Sequence, residues 1–134
     1  MTASATAILG YAGWMLLLLV LVVVMRTVIS QRTEKQVNEF SPGGEDVPGF
    51  GHRVTRAHLN CVENIGPFIA IIVAAYLSDQ LAVTDQLAMW VLYARIAQSV
   101  VHLISTALPM VMIRGTLLLV QIALQGWMIF QLAF

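Results

Sequence analysis

Charge is scarce in this sequence. Of its 134 residues only 10% are charged, and seven basic and seven acidic residues give a formal net charge of zero. A soluble domain carries about 25% charged residues because its surface must be hydrated, so the shortage excludes a soluble globular domain and a disordered chain. The lack of a basic excess excludes a nucleic-acid-binding protein that relies on a positive surface. The mean hydropathy of +0.83 indicates an integral membrane protein.

Cysteine is almost absent as well. The single cysteine, Cys61, excludes an intramolecular disulfide and a cysteine-based zinc cluster, and we interpret it as a packing residue. No second histidine or carboxylate stands at metal-ligand spacing beside His102, so no metal site is expected. Basic residues are also missing before the first apolar run, which excludes an ordinary secretory signal and predicts a retained transmembrane helix.

Long apolar runs are what the sequence does contain. Residues 7–25 carry no charge, and at about 1.5 Å per residue they suffice to cross a hydrocarbon core of roughly 30 Å. The pattern predicts an integral membrane four-helix bundle, all-α, in which residues 1–134 form one domain. The predicted spans are 7–25, 54–77, 86–108 and 115–134, with a polar loop at 26–53. Pro109 is expected to end the third span.

The basic residues near the span ends all lie on one predicted side of the membrane. They occur in or beside the first and third connections: Arg26, Arg32, Lys35, Arg53, Arg56 and Arg114. Four spans place these two connections on the same side, and the positive-inside rule makes that side cytoplasmic. Both termini are therefore predicted to be non-cytoplasmic.

One stripe of the second helix is polar. At 100° per residue it consists of Arg53, Arg56, Asn60 and Glu63, while His58 points to the opposite side. Such a stripe can bind a small zwitterionic ligand, with the arginines on its carboxylates and Glu63 on its ammonium group. The alternative is a purely structural network between helices. A polar helix end at headgroup level explains Glu63 poorly, because a charge near mid-bilayer costs about 2.5–3.5 kcal/mol.

The third span carries a second polar face. It consists of Arg95, Gln98, Ser99 and His102. Arg95 lies deep enough in the membrane to need a partner of opposite charge, and Glu63 is the expected one. A buried ion pair that joins the two helices and a contact with a ligand are equally open interpretations of Arg95. His102 by itself is typical of a histidine satisfied by helix packing.

The fourth span adds Arg114 and two glutamines. Arg114 lies near the start of the helix, where unpaired backbone N–H groups also favour an anion, although a positive-inside anchor is the simpler interpretation. Gln121 and Gln125 lie four apart on one face and are expected to bond between helices.

Residues 53–68, RVTRAHLNCVENIGPF, resemble the signature of the MAPEG superfamily, the membrane-associated proteins of eicosanoid and glutathione metabolism. The resemblance extends to NEFSP at 38–42, to ARI at 94–96 and to the arginine before the fourth span. The RAHxNCxEN form and the short chain are most similar to the bacterial glutathione transferase-like members. The resemblance therefore implies a multi-pass protein of the bacterial inner membrane.

The family implies a homotrimer that binds glutathione between neighbouring subunits near the cytoplasmic side. By resemblance, Arg56, Asn60 and Glu63 match glutathione-contacting positions, and Arg53 assists them. Further contacts are expected from Arg95, from His102 in place of a tyrosine, and from a first-helix arginine, either Arg26 (preferred) or Arg32.

Arg114 resembles the arginine that stabilises the glutathione thiolate and is the expected catalytic residue. A fixed guanidinium lowers a thiol pKa from its ordinary value of about 8.5, so no general base is needed. The implied function is a membrane-embedded glutathione S-transferase that attacks hydrophobic electrophiles arriving from the bilayer, with lipid hydroperoxide reduction as a further activity.

Some positions depart from the family pattern. Gln98 and His102 stand where relatives carry His and Tyr, and Gly115 and Leu118 stand where prostaglandin synthases carry Ser and Tyr. These departures argue against the prostaglandin reaction. Two alternatives to a transferase stay open: a non-catalytic binding or scaffold protein of the same fold, and a small multidrug-type transporter. Against the transporter, Glu63 lies in an arginine-rich stripe rather than alone in an apolar helix.

Overall fold

A computed structural model describes all residues, 1–134, and consists of helices and turns without a strand. The helices are α1 (Ala3–Arg32), α2 (Phe50–Leu77), the short α3 (Leu81–Asp85), α4 (Ala88–Ile104) and α5 (Leu108–Ala133), with a 3-10 turn at Val37–Glu39. The predicted all-α fold is confirmed. We call the end of the bundle that carries residues 33–49 the loop end; α3 and both chain termini lie at the opposite end.

Three helices are long and apolar enough to cross a membrane. They are α1, α2 and α5, whereas α4, with 17 residues, is shorter. The outer face of α1 exposes Leu16, Val20 and Val24 by more than half. Lipid tails are as apolar as these side chains, so the exposure is compatible with a membrane and unsuited to water. An integral membrane protein is confirmed, with three spans supported by length; the fourth stays a prediction.

The helix boundaries differ from the predicted spans. Helix α1 continues beyond Arg26 to Arg32, and α2 begins at Phe50 rather than at 54. The prediction that Pro109 ends the third helix is wrong: α4 ends at Ile104, and Pro109 lies in the first turn of α5. Proline is tolerated there because the first N–H groups of a helix have no intrahelical partner.

A glycine, Gly10, lies where α1 packs against α4. A Cβ atom on Gly10 would lie 2.6 Å from Leu92 Cδ2, much nearer than the 3.5–4.0 Å at which carbon atoms pack. One residue further, the ring of Tyr11 lies 6.0 Å from that of Phe68 on α2. The Tyr11 hydroxyl donates a hydrogen bond to the Cys61 carbonyl oxygen at 3.0 Å. Helices α1, α2 and α4 therefore meet at this level.

Exposed aromatic side chains gather towards the opposite end of the bundle. Tyr76 lies in the last turn of α2 and Trp90 in the first turn of α4. Trp127 and Phe130 lie in the last turns of α5, and all four side chains are more than half exposed. Trp and Tyr favour the membrane–water interface. The two ends thus carry different residues: aromatic rings at the opposite end and arginines at the loop end.

The loop of residues 33–49 folds back onto α2. Lys35 Nζ lies 2.7 Å from Asp46 Oδ2, and its hydrogen bond lowers the pKa of the Asp46 carboxyl. Gly44 has a φ of +77°, and a Cβ atom on it would lie 2.8 Å from Thr55 Cβ. Glycine is therefore required for this turn and for the close approach of the loop to the helix.

A hydrogen-bond network fixes the start of α1 at the opposite end. Asp85 Oδ1 accepts from the Ser4 backbone N–H at 2.8 Å and from the Ser4 hydroxyl at 2.6 Å. The same hydroxyl lies 2.7 Å from Thr84 Oγ1. The carboxylate thus satisfies one of the N–H groups that every helix start leaves unpaired.

We expect Asp85→Asn to lower the free energy of unfolding by about 1–2 kcal/mol, because hydrogen bonds to a charged acceptor become bonds to a neutral one. Thermal unfolding in detergent measures the loss. Asp79→Asn is the matched control, since Asp79 is exposed and has a φ of 56° that Asn tolerates. Equal melting temperatures for the two variants would contradict the prediction.

Candidate functional site

Three elements bring polar side chains together at the loop end. This loop-end cluster consists of Arg53, Arg56 and Asn60 on α2, His102 on α4 and Arg114 on α5. Asn60 Nδ2 lies 3.4 Å from His102 Nδ1, and Arg53 Nε donates to the Leu103 carbonyl oxygen at 2.8 Å. These contacts join α2 to the last turn of α4.

The cluster carries positive charge that the chain does not neutralise. The charges of Arg53, Arg56 and Arg114 all act on His102. The one ion pair of the chain joins Lys35 to Asp46 in the loop, so none of the three arginines is paired with a carboxylate. Arg114 Nε is buried without a hydrogen-bond partner. Because guanidinium groups stay charged in proteins, the cluster is suited to an anion.

A loop carboxylate borders this cluster. Glu45 is exposed, and the hydrogen bond from the Ser41 hydroxyl lowers the pKa of its carboxyl, with the positive charge of Arg56 acting in the same direction. Its negative charge is therefore retained at neutral pH at the rim of the cluster. Glu45 thus adds a negative charge in the neighbourhood of Arg56.

Glu63 lies one turn deeper along α2, on the outer face of the helix, and is exposed. It follows Asn60 by three residues on the predicted stripe. Four residues later Pro67, inside α2, has no N–H to donate to the Glu63 carbonyl. Both the side chain and the backbone of Glu63 thus remain available for a further partner at membrane depth.

The prediction of an ion pair between Arg95 and Glu63 is wrong within the single chain. No ion pair joins them, because Arg95 faces the bundle interior while Glu63 faces outward. Arg95 is only 1% exposed, and its guanidinium lies 5.9 Å from the centre of the Tyr11 ring. A cation–π contact of this kind contributes about 2 kcal/mol when desolvated, comparable to the 2.5–3.5 kcal/mol cost of placing an arginine at mid-bilayer.

Arg95 also borders a groove between α2 and α5. The groove has a volume of about 250 Å³, and its walls include Asn64 on α2 and Gln125 on α5. Arg95 Nε is buried and has no hydrogen-bond partner. The structure therefore separates Arg95 from the loop-end cluster: His102 lies seven residues further along α4, about 10 Å away at 1.5 Å per residue.

The remaining polar residues of the spans bond between helices. Gln121 Nε2 donates to Gln98 Oε1 at 2.8 Å, which confirms the predicted interhelical role of Gln121. Gln125 instead lines the groove. Ser99 Oγ lies 3.4 Å from Cys61 Sγ, and the buried thiol is a packing group, as predicted. Gln98 is thus engaged by α5 rather than by the loop-end cluster.

The two arginines at the end of α1 have different surroundings. Arg26 lies 5.7 Å from the centre of the Phe40 ring and donates to the Ser41 carbonyl oxygen at 3.3 Å, so its contacts are with the loop. Arg32 is exposed at the last residue of the helix. These contacts of Arg26 and Arg32 do not include the loop-end cluster. A ligand-binding role for either arginine stays a prediction.

Tyr11 is the polar residue that the sequence alone does not single out. It is 1% exposed and contacts both α2 and Arg95. The available signal was a tyrosine within an otherwise apolar span, since a buried hydroxyl usually has a hydrogen-bond partner. No group of three or more His, Cys, Asp or Glu residues is placed to hold a metal ion.

The fold and the cluster define a helical membrane protein with unpaired cations at one end of its bundle. The chain belongs to the MAPEG family, whose family model matches residues 4–134. No curated protein and no solved structure matches the chain at a significant level. Membership places the protein in membrane-associated glutathione and eicosanoid metabolism, in a family that includes glutathione transferases and uses glutathione as a substrate.

Proposed function

We propose that this protein is a glutathione S-transferase of the membrane, which activates the glutathione thiolate for attack on hydrophobic electrophiles. The observation that carries the proposal is the loop-end cluster, where Arg53, Arg56 and Arg114 lie near His102 and none is ion-paired with a carboxylate. Glutathione brings two carboxylates and, in its reactive form, a thiolate. Three guanidinium groups match these three negative charges.

Each side chain of the cluster has a chemical task in the proposal. Arg53 and Arg56 bind the carboxylates of glutathione, and the Asn60–His102 contact orients the peptide between α2 and α4. Arg114 lies beside the sulfur, where its unpaired Nε–H stabilises the anion and lowers the thiol pKa. The thiolate then attacks the electrophile, the carbon–sulfur bond forms, and the leaving group departs with the displaced electron pair.

A partner subunit completes the proposed site. Glu63 is a charged side chain exposed at membrane depth, and such a residue faces protein or a watery cavity rather than lipid. We therefore propose a homotrimer in which a neighbouring subunit covers α2 and Glu63 binds the ammonium group of glutathione. The first-helix arginine, Arg26 or Arg32, and Arg95 complete the set predicted to contact glutathione.

The proposed topology has four spans, with α4 crossing despite its length. Trp90 and His102 lie near its two ends, where interfacial and polar residues belong. The loop end is then cytoplasmic, both termini are non-cytoplasmic, and the protein lies in a bacterial inner membrane. An electrophile or a lipid hydroperoxide reaches the thiolate laterally from the bilayer.

Titration of purified protein with glutathione tests the proposal most directly. Calorimetry is expected to show saturable binding, and ultraviolet absorbance is expected to show thiolate formation at pH 7, where free glutathione is mostly a thiol. Binding of S-methylglutathione without an absorbance change is the matched control. Absence of glutathione binding would remove the proposal.

A binding protein without turnover is the second candidate. It is favoured by one observation: Gln98, at a position where relatives carry histidine, is occupied by its hydrogen bond to Gln121. Saturable glutathione binding without conjugation of chlorodinitrobenzene or reduction of a lipid hydroperoxide would support this candidate over the transferase.

A further inference from the structure

A short segment of the loop is fixed against the start of α2, next to the loop-end cluster. Gly44 packs on the helix, since a Cβ atom on it would lie 2.8 Å from Thr55 Cβ, and its carbonyl oxygen lies 2.8 Å from His52 Nδ1. The next residue in the loop is Glu45, and the next in the helix is Arg56. The side chain of Glu45 is exposed, and the positive charge of Arg56 reaches its carboxylate.

The Glu45 carboxylate is held in place by the loop around it. The Ser41 hydroxyl donates a hydrogen bond to it, and a Cβ atom on Gly43 would overlap it, so the side chain lies back over the loop backbone. The backbone of Ser41 is itself bonded on both sides: its N–H donates to Asp46 Oδ2 at 2.9 Å, and its carbonyl oxygen accepts from Arg26 at 3.3 Å. The negative charge of Glu45 therefore has a fixed position relative to α2.

The three arginines of the loop-end cluster are not selective by themselves. Guanidinium groups bind phosphates as well as carboxylates, and their attraction for a ligand grows with the number of negative charges that the ligand carries. Polyphosphates carry more negative charge than glutathione, whose two carboxylates are partly offset by an ammonium group. A site for such a peptide therefore needs an element that acts against more highly charged ligands, because specificity is a difference between affinities.

We propose that Glu45 is a specificity-determining residue of the loop-end cluster: its fixed carboxylate favours ligands of low net negative charge, such as glutathione, and repels polyphosphates. The repulsion by one negative charge adds up over all charges of the ligand, so a polyphosphate loses more affinity than a peptide does. The neighbouring carboxylate of Asp46 is paired with Lys35, so its charge is balanced within the loop, whereas that of Glu45 is not. The inference rests on the proposed function, since it names what the glutathione site excludes.

Three variants separate the charge of Glu45 from the structure of the loop. Glu45→Gln removes the charge and nearly keeps the shape, and its amide oxygen can still accept from the Ser41 hydroxyl. Glu45→Asp keeps the charge on a shorter side chain. Glu34→Gln is the matched control, because Glu34 is exposed in the loop and forms no ion pair.

Calorimetric titration with glutathione and with inorganic tripolyphosphate measures the selectivity, with the full chain in nanodiscs of neutral phosphatidylcholine and without divalent cations. Relative to the wild type, Glu45→Gln is expected to bind glutathione about two- to fivefold more tightly and tripolyphosphate at least about tenfold more tightly. Glu45→Asp is expected to keep most of the wild-type selectivity, and Glu34→Gln all of it. The gain in tripolyphosphate affinity should shrink between about 0.05 and about 0.5 M salt, because salt screens exposed charges.

The two ligands together decide the role of Glu45. Equal gains for both ligands in Glu45→Gln, or gains that do not depend on salt, would overturn the proposal, because they would reflect the structure of the loop rather than its charge. Unchanged tripolyphosphate affinity would overturn it as well, and the same gain in Glu34→Gln would overturn the assignment to Glu45. The proposed function fails separately: absence of glutathione binding by the wild type would remove it, while a selective gain for tripolyphosphate in Glu45→Gln would still support repulsion by Glu45.

Discussion

Replacing Arg114 with glutamine is expected to reduce the conjugation of chlorodinitrobenzene by about 100-fold or more at pH 7. The magnitude is that of removing one donor from a site that stabilises a developing anion. Arg114 forms no ion pair, and its Nε is buried and unpartnered, so the guanidinium is free to act on a sulfur. Without it, the thiol returns towards its ordinary pKa of about 8.5, and most bound glutathione is protonated at pH 7.

The pH profile distinguishes this role from a structural one. The wild-type rate is expected to be flat around neutrality because the thiolate is already formed. The rate of Arg114→Gln should rise about tenfold per pH unit up to the ordinary thiol pKa, while glutathione affinity for the thiol form changes little. Arg114→Lys should recover part of the rate, since the charge remains but the planar donor geometry is lost.

Lys35→Gln provides a charge-matched control. Lys35 lies in the loop and is ion-paired with Asp46, so its removal takes away one positive charge outside the cluster. A partly exposed surface pair of this kind contributes about 1 kcal/mol or less. Undiminished activity of Arg114→Gln at pH 7, with the control also active, would show that Arg114 does not stabilise the thiolate.

Helical spacing was sufficient to predict which residues share a face. Arg53 and Asn60 share a face of α2, and that face contacts the last turn of α4, where Arg53 binds the Leu103 carbonyl oxygen and Asn60 contacts His102. The long apolar runs predicted the helices themselves, because the bilayer thickness sets the length of an uncharged run. These inferences needed only the periodicity of a single helix.

The spacing of residues along one helix does not determine how that helix is rotated about its axis relative to the others. Arg95 and Glu63 have opposite charges, and yet Arg95 faces the bundle interior and Glu63 faces its outer surface. Such rotations depend on packing between helices, as where Gly10 of α1 lies against Leu92 of α4. The groove beside Arg95 likewise depends on the separation of two helices, and no pattern within one helix encodes it.

Glu63→Gln tests the outward-facing charge and is expected to weaken glutathione binding by about 10- to 150-fold. This range corresponds to the loss of a hydrogen bond to a charged group, about 1.5–3 kcal/mol. Glutamine has nearly the same shape and removes only the negative charge. It also removes a charge that is unfavourable at membrane depth, so the folded helix is not expected to be destabilised.

A glutathione analogue without its amino group tests whether Glu63 and the ammonium group interact directly, by a double-mutant cycle. The wild type should lose the same 10- to 150-fold affinity for this analogue, whereas Glu63→Gln should bind the analogue and glutathione equally, because only paired groups show such coupling. Glu34→Gln is the control, since Glu34 is exposed in the loop and forms no ion pair. If Glu63→Gln discriminated between the two ligands as strongly as the wild type does, Glu63 would not contact the ammonium group. Its charge would then serve the contact between subunits, which the elution volume of the variant reports in the same preparation.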